Sequence, residues 1–260
     1  VMFMHEEPLS SVGNGVSMAA IVDLAPLVDC FICMRKEEHS VWNSINRTWC
    51  VPKGIDLERY HPQELPEGVE PLSGTPSVTY SENWRGQRNP LYLCIAMKLV
   101  QQKYPEARLH LFNCQSDKMY KTFKALWEHG KWGNFIRTIN GPADDVVELY
   151  ARSQIVVSCL YPLYARSIEA FACGKAFISA GYKEEGYPWQ CEYSPESIAD
   201  AIIRCHEGYD TVDYRKWAEE RHDAKEMVRQ CIEIYKRYVP AEGPPMYSAP
   251  QFHPRKPEFV

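Results

Sequence analysis

The sequence predicts an α/β fold built around a doubly wound parallel sheet, and three observations lead to this prediction. The chain has 260 residues, of which 45% are hydrophobic and 24% charged, enough to form a sizeable core. Short apolar runs alternate with amphipathic stretches from residue 77 onward. Residues 154–180 combine a strand, a helix that ends at a glycine and a second strand, which is the pattern of a βαβ unit. Such alternation is typical of parallel sheets covered by helices.

The second half of the chain carries the clearest periodicity. Strands are predicted at 77–80, 109–112, 135–139, 154–160 and 176–180, and helices at 90–104, 119–129, 143–152, 194–207 and 214–238. Pro142 favours the start of one helix, and Ser194 is predicted to cap another. Gly174 is predicted as a helix C-cap, and Gly54 as a turn residue with positive φ. These elements assign 77–240 to one Rossmann-like domain.

The first sixty residues predict a short or truncated N-terminal α/β portion. A strand ends at His5, a helix covers 16–27 and an apolar strand covers 30–34. Residues 62–76 are rich in Pro, Glu and Gly, which suits a linker or an ordered but irregular crossover. The predicted domains are therefore 1–60 and 77–240, with a linker at 61–76 and a Pro-rich tail at 241–260.

Composition and charge narrow the classes of function. The net charge is −5 and no dense Lys/Arg tract occurs, so nothing indicates a nonspecific nucleic-acid surface. The sequence has neither a long apolar run nor a signal-peptide pattern, and we expect a soluble, cytoplasmic protein. Most of the 10 cysteines lie in apolar or helical runs, which favours reduced, buried thiols. The CxxC pair Cys30 and Cys33 lacks the second pair that a zinc site needs.

The stretch 158–179 has the features of a ligand site. It follows the carboxyl end of a predicted strand, the edge of a parallel sheet where helix N-termini bind phosphates and nucleotides. Glu169 lies in the apolar run 168–173, where an unpaired charge would be costly to bury, which favours ligand binding over a surface role. For Arg166, a phosphate ligand and a solvated first-turn residue remain equally open.

Several stretches resemble the nucleotide-sugar-binding, C-terminal half of GT-B-type retaining glycosyltransferases, the family that includes sucrose and glycogen synthases. Residues 51–62 resemble the family pattern V-x-N-G-[VI]-D-x-x-x-[FY]-x-P, and 169–176 resemble its E-A-x-A-C-G-x-P block. Residues 140–153 resemble the turn and helix before the donor loop, and 219–238 the closing helix. The stretches occur in the family's order along residues 28–238.

This resemblance implies an enzyme of hexosyltransferase type with a GT-B-like fold, whose N-terminal part faces the acceptor. It implies transfer of a sugar from a UDP- or GDP-sugar, with a UDP-sugar as the expected donor, and with retention of configuration. The acceptor stays open between a glycan, a lipid, a protein and modified DNA. We expect no cofactor besides the donor. The sequence has no Asp-x-Asp pair, so we expect no metal, and basic residues with a helix N-terminus would stabilise the leaving diphosphate.

The resemblance also assigns roles to particular residues. Glu169 matches the second glutamate of the family's E-x7-E motif, which hydrogen-bonds the ribose hydroxyls. Tyr161 occupies the position of the first glutamate, which contacts the sugar. Arg88 lies where the family carries a diphosphate-binding lysine, and Arg85 is a candidate companion. His5 resembles the histidine at the acceptor cleft and is a candidate catalytic residue together with Arg88.

The loop before the helix completes the predicted donor site. Its candidate donor-binding residues, which would surround the sugar and phosphates, are Tyr161, Tyr164, Ala165, Arg166 and Ser167. Two alternatives remain. One is a transferase of the small viral type that glycosylates modified DNA bases. The other is a noncatalytic nucleotide-sugar-binding module, suggested by the tyrosine at position 161 and the short front domain.

Overall fold

A computed structural model gives the architecture of the chain. It describes residues 2–4, 18–34, 36–81, 90–112, 134–139, 146–159, 165–181, 187, 189–208 and 211–238. Two compact units divide the chain: Val1–Pro52 with Lys225–Val260, and Lys53–Ala224. The first unit thus includes residues 225–238, which the sequence interpretation assigned to the second domain.

The first unit contains a three-stranded parallel sheet in the order β1-β2-β3. Its elements are β1 (Met2–Met4), α1 (Met18–Leu24) with a following 3-10 turn (Ala25–Leu27), β2 (Phe31–Cys33), α2 (Lys36–Asn43), β3 (Thr48–Cys50) and the last helix, α8 (Ala224–Tyr238). Within the described residues, the predicted early strands and helix are confirmed. The sequence interpretation missed α2, which is mostly polar, and β3, which has only three residues.

Strand β2 explains why both faces of the first sheet are apolar. Phe31 and Cys33 pack in one cluster with Trp42, while Ile32 packs in another with Ile234 of α8. Successive residues of a strand point to opposite faces, so a strand covered on both sides becomes a continuous apolar run. The run at 30–34 therefore indicates coverage on two sides.

The second unit contains a six-stranded sheet in the order β6-β5-β4-β7-β8-β9, and every neighbouring pair is parallel. Its elements are β4 (Ser77–Tyr80), α3 (Leu91–Lys103), β5 (Arg108–Phe112), β6 (Ile136–Ile139), α4 (Val146–Arg152), β7 (Ile155–Cys159), α5 (Ala165–Ala172), β8 (Ala176–Ala180), β9 (Gln190–Cys191), α6 (Pro195–Glu207) and α7 (Tyr214–His222). The predicted doubly wound α/β class is confirmed. The two-residue β9 was not predicted, and the helix predicted at 119–129 lies outside the described residues.

The strand order places a topological switch point between β4 and β7. From β4 the sheet extends through β5 to β6, and from β7 it extends the opposite way through β8 to β9. Every residue of β4, β7 and β8 is buried, as expected for central strands covered on both faces. In open parallel sheets, ligands bind at the carboxyl ends of the strands beside such a point.

The predicted single helix 214–238 is wrong, because Asp223 interrupts it in an extended conformation (φ −69°, ψ 122°). Asp223 forms a parallel bridge with Ile55. The Ile55 amide donates to the His222 carbonyl at 2.8 Å, and the Ala224 amide donates to the Ile55 carbonyl at 3.1 Å. A contact distant in sequence therefore ends one helix and starts another.

The two glycines singled out from the sequence have different structural reasons. Gly174 has φ +72°, and its amide donates to the Phe171 carbonyl at 2.8 Å, which confirms the predicted C-cap. The predicted positive φ of Gly54 is wrong. A Cβ there would lie 2.5 Å from the Cα of Ala224, so Gly54 is required by close backbone approach.

The segment predicted as a linker, 61–76, is ordered and irregular within the second unit. Leu72 is buried in the core of this unit, and its amide donates to the Arg152 carbonyl at 2.9 Å. Of the helices that the structure describes, none has the length and apolar character needed to cross a membrane.

Candidate functional site

A group of polar side chains lies at the switch point of the second sheet. Ser81 directly follows β4, and α5 begins six residues after β7 ends. Glu169 lies in the second turn of α5 and is only 7% exposed. A carboxylate this deeply buried needs charged or hydrogen-bonding partners.

Arg166 is the first of these partners. Its Nη1 lies 3.0 Å from Oε2 of Glu169, and the three-residue spacing places both side chains on the same face of α5. Burial alone would lower the pKa of Arg166, but the charge and hydrogen bond of Glu169, together with Tyr150 and Tyr60, outweigh burial and raise it. The Arg166 side chain is 37% exposed, so it retains access to solvent.

Tyr150 of α4 is the second partner. Its hydroxyl lies 3.4 Å from Oε2 of Glu169, 3.1 Å from the Arg166 carbonyl and 3.5 Å from Oγ of Ser81. Burial, followed by the charge of Glu169, raises the pKa of Tyr150 far above its usual range. The phenol therefore remains a neutral hydrogen-bond donor and cannot act as a base.

The motif at 51–62 contributes two further groups. Burial and the Glu169 charge raise the pKa of Tyr60, and a side-chain hydrogen bond with Glu169 adds to this effect. Burial lowers the pKa of Lys53, while the Glu169 charge opposes that change. The carboxylate also acts on Cys173. Burial, followed by the charge of Glu169, raises the pKa of Cys173 to about 12. Its side chain therefore stays a thiol and is not a nucleophile.

These groups can bind a polar ligand without bond-making chemistry of their own. A buried carboxylate accepts hydrogen bonds from hydroxyl groups, and Arg166 and Lys53 supply positive charge near it. Within the described ranges, no three His, Cys, Asp or Glu side chains are grouped so that they could hold a metal ion. The arrangement is typical of a site that recognises a hydroxylated anion.

The structure brings together only some of the residues predicted from sequence. Glu169 and Arg166 are in contact, Ala165 is the first residue of α5, and Ser167 is 1% exposed, so its hydroxyl faces the interior. The other predicted site residues, namely His5, Arg85, Arg88, Tyr161 and Tyr164, lie outside the described residues. Their roles stay predictions.

Sequence reasoning missed Lys53, Tyr60 and Tyr150. Tyr60 occupies the aromatic position of the motif at 51–62, and Tyr150 lies in the stretch 140–153, so both were inside segments already singled out. Nothing in their local sequence distinguishes them from core residues. Their proximity to Glu169 depends on chain crossings that only the fold supplies.

Several solved structures share this fold. Sucrose-phosphate synthase from Thermosynechococcus elongatus superposes with a TM-score of 0.71 at 16% identity, covering 91% of this chain and 67% of that chain. HepE from Anabaena, in complex with UDP, superposes with a TM-score of 0.73 at 17% identity, covering 90% of this chain and 72% of HepE. A TarM variant from S. aureus was solved with Fondaparinux, alpha-GlcNAc-glycerol and UDP. It superposes with a TM-score of 0.65 at 12% identity, covering 84% of this chain and 46% of TarM.

The chain therefore has the fold of GT-B glycosyltransferases, as the motif resemblance implied. It spans about two thirds of the synthase and less than half of TarM. No protein-family model and no curated protein sequence matches it. The likeness is one of fold, at identities too low to carry activity with it.

Proposed function

We propose that this chain binds a nucleotide sugar in its second unit and acts as a glycosyltransferase of hexosyltransferase type. The observation that carries the proposal is the buried Glu169 carboxylate at the switch point of the parallel sheet. A carboxylate can accept hydrogen bonds from the two vicinal hydroxyls of a ribose. Solved structures of the same fold include HepE with UDP, with UDP and glucose, and with UDP-glucose.

In the proposed site, Glu169 accepts hydrogen bonds from the ribose hydroxyls. Arg166 forms an ion pair with Glu169, and because its side chain is partly exposed it can also reach a phosphate group. Tyr150 fixes the orientation of the carboxylate from the protein side. The protein contributes positioning and electrostatic stabilisation of the leaving diphosphate, with Arg85 and Arg88 as further proposed phosphate ligands.

We further propose a UDP-sugar as donor, transfer with retention of configuration and no requirement for a metal ion. UDP is favoured over GDP because HepE and TarM, which share this fold, have been solved with UDP. The absence of an Asp-x-Asp pair from the sequence supports the proposal that side-chain cations replace a metal at the diphosphate. The sugar and the acceptor are left open by this proposal.

The test compares nucleotide binding by the wild-type protein and two matched variants. Calorimetry with UDP, GDP and ADP should detect binding of one nucleotide to the wild-type protein. Glu169→Gln should weaken it roughly 10- to 100-fold, since a charged acceptor is replaced by a neutral one. Glu148→Gln is the control, because Glu148 is a surface residue that pairs with Arg152 at 3.5 Å. Equal losses in both variants, or no binding by the wild-type protein, would contradict the proposal.

A turnover assay with UDP-glucose separates a transferase from a noncatalytic binding module. Release of UDP, with or without an added acceptor, supports the enzyme. Nucleotide binding with no turnover of any UDP- or GDP-sugar supports the module, which the tyrosine at position 161 suggested. The modified-DNA alternative requires binding to duplex DNA that weakens steeply with salt, and the net charge of −5 speaks against it.

A further inference from the structure

Arg215 binds backbone carbonyls of two segments that carry candidate-site residues. It lies in the first turn of α7 and is 24% exposed. Its Nη1 donates to the Tyr60 carbonyl at 2.6 Å and to the Ala172 carbonyl at 2.9 Å. Its Nη2 donates to the Leu57 carbonyl at 3.3 Å, and its Nε donates to Oε1 of Glu219 at 2.6 Å. One guanidinium thus serves four acceptors on three different segments.

The first of these segments is the turn at 57–60. Oδ1 of Asp56 accepts from the amides of Glu58 and Arg59 at 2.9 and 3.1 Å, and the Tyr60 amide donates to the Asp56 carbonyl at 2.9 Å. These bonds hold the backbone of the turn, and none of them uses the Leu57 or Tyr60 carbonyl. Arg215 binds those two carbonyls and so fixes the turn that carries the Tyr60 ring.

The second segment is the end of α5. The last carbonyls of a helix have no partner within it, and Ala172 is the final residue of α5. Arg215 satisfies this carbonyl three residues after Glu169. Helix α7 also packs on α5 through aromatic rings. The ring centroids of Tyr214 and Trp217 lie 6.3 and 4.7 Å from that of Phe171.

Resting on the proposed function, we propose that Arg215 is a positioning residue of the nucleotide site, which sets the place of Glu169 relative to Tyr60. The planar fork of a guanidinium can bind several carbonyls in fixed directions, whereas an ammonium is a point charge. The Arg215 side chain does not need to touch the ligand. Its effect is transmitted through the rigid last turn of α5 and the rigid 57–60 turn.

Arg204 is a matched control for this role. Like Arg215, it donates from Nε to a carboxylate four residues away on its own helix, in its case Asp200 at 2.7 Å. Its side chain is 47% exposed. A change at Arg204 therefore removes the same kind of surface ion pair from a neighbouring helix of the same unit.

The experiment measures the Kd for UDP, or for GDP if the wild-type protein prefers it, in Arg215→Lys, Arg215→Gln and Arg204→Lys. We expect about tenfold weaker binding in both Arg215 variants and unchanged binding in Arg204→Lys. The Kd is measured well below each melting temperature, so a purely structural role would lower that temperature and leave the Kd unchanged. Two Arg215 substitutions are included so that one misfolded variant does not decide the result.

A double-mutant cycle with Tyr60→Phe tests whether Arg215 affects nucleotide binding through the 57–60 turn. Since both changes disturb one arrangement, Arg215→Lys with Tyr60→Phe should weaken binding by clearly less than the product of the single effects. Wild-type Kd values in the Arg215 variants, or fully multiplicative effects, overturn the positioning role. Failure of the wild-type protein to bind any nucleotide overturns the proposed function itself, and the positioning role with it.

Discussion

The two edges of the six-stranded sheet use polar side chains in different ways. Toward the amino edge, two side chains bind backbone carbonyls: Nε2 of His110 lies 2.8 Å from the Ser73 carbonyl, and Nε of Arg152 donates to the Glu70 carbonyl at 3.0 Å. At the carboxyl edge, Glu169 is held by side chains. Backbone partners stay in place, whereas side-chain partners can rotate to admit a ligand. We therefore expect the amino-edge contacts to stabilise the fold and the carboxyl-edge group to bind the proposed nucleotide.

The largest expected effect is on stability and belongs to the amino edge. Gly74 has φ +107°, and a Cβ there would lie 2.7 Å from Cβ of Arg108. Gly74→Ala should therefore cost about 3 kcal/mol, from backbone strain and overpacking together. Urea denaturation measures the loss, and nucleotide affinity of the folded protein should not change.

Gly68→Ala is the control for Gly74→Ala. Gly68 also has positive φ (+82°), but nothing lies within 4 Å of its added Cβ. Only backbone strain remains, which costs about 1 kcal/mol. Equal losses at the two glycines would show that the contact with Arg108 contributes nothing.

The second prediction concerns acid stability. Burial lowers the pKa of His110 from its ordinary 6.5, and Arg137, Arg152 and Arg108 lower it further, while the bond to Ser73 opposes them. Burial likewise lowers the pKa of His222, against its bond to the Lys53 carbonyl. Below about pH 6.5 the unfolded chain therefore binds more protons than the folded chain, and stability falls as pH falls.

The slope from these residues is at most about 1.4 kcal/mol per pH unit for each histidine. Urea midpoints at pH 7.5 and 5.5 should differ more in the wild-type protein than in the double variant His110→Gln and His222→Gln. An unchanged difference would assign the acid sensitivity to other groups.

The third prediction tests the carboxyl edge. Tyr150→Phe removes the hydroxyl that lies near Glu169, the Arg166 carbonyl and Ser81. We expect a loss of about 1 kcal/mol in stability and a roughly fivefold weaker nucleotide affinity, because the carboxylate loses a fixed donor. Calorimetry and urea denaturation on the same samples give both quantities. A stability loss with wild-type affinity would make Tyr150 a core residue only.

The sequence was sufficient for the features that depend on local pattern. Apolar runs bounded by glycine and proline predicted the strands of the second sheet, and a lone glutamate within the apolar run 168–173 indicated Glu169. The C-cap at Gly174 followed from its place after the last apolar residues of a helix. In each case the residue and its structural reason lie within one element.

The features that the sequence could not predict depend on contacts between distant segments. Asp223 breaks a helical period because Ile55 bridges to it, and Gly54 is a glycine because Ala224 packs against it. Arg215 has the local pattern of a surface helix residue, with Glu219 four positions on. Its three bonds to backbone carbonyls arise only when the 57–60 turn and α5 meet.

The smallest expected effect is on stability and concerns a hydrogen bond at the end of α4. It separates the contribution of this helix to stability from its contribution to nucleotide binding. Oγ1 of Thr79 in β4 lies 2.8 Å from Oγ of Ser153, which in turn donates to the Leu149 carbonyl of α4 at 2.7 Å. Thr79→Val removes one hydrogen bond at the end of the helix that carries Tyr150 and should cost about 0.5–1 kcal/mol.

Because Ser153 keeps its bond to α4, the Tyr150 hydroxyl should stay in place and the nucleotide Kd should equal that of the wild-type protein. Thr79→Val and Tyr150→Phe then lose similar stability but differ about fivefold in affinity. If affinity instead fell equally in both, loosening of α4 rather than the hydroxyl beside Glu169 would control binding, and the contrast between the structural and binding parts of this sheet would fail.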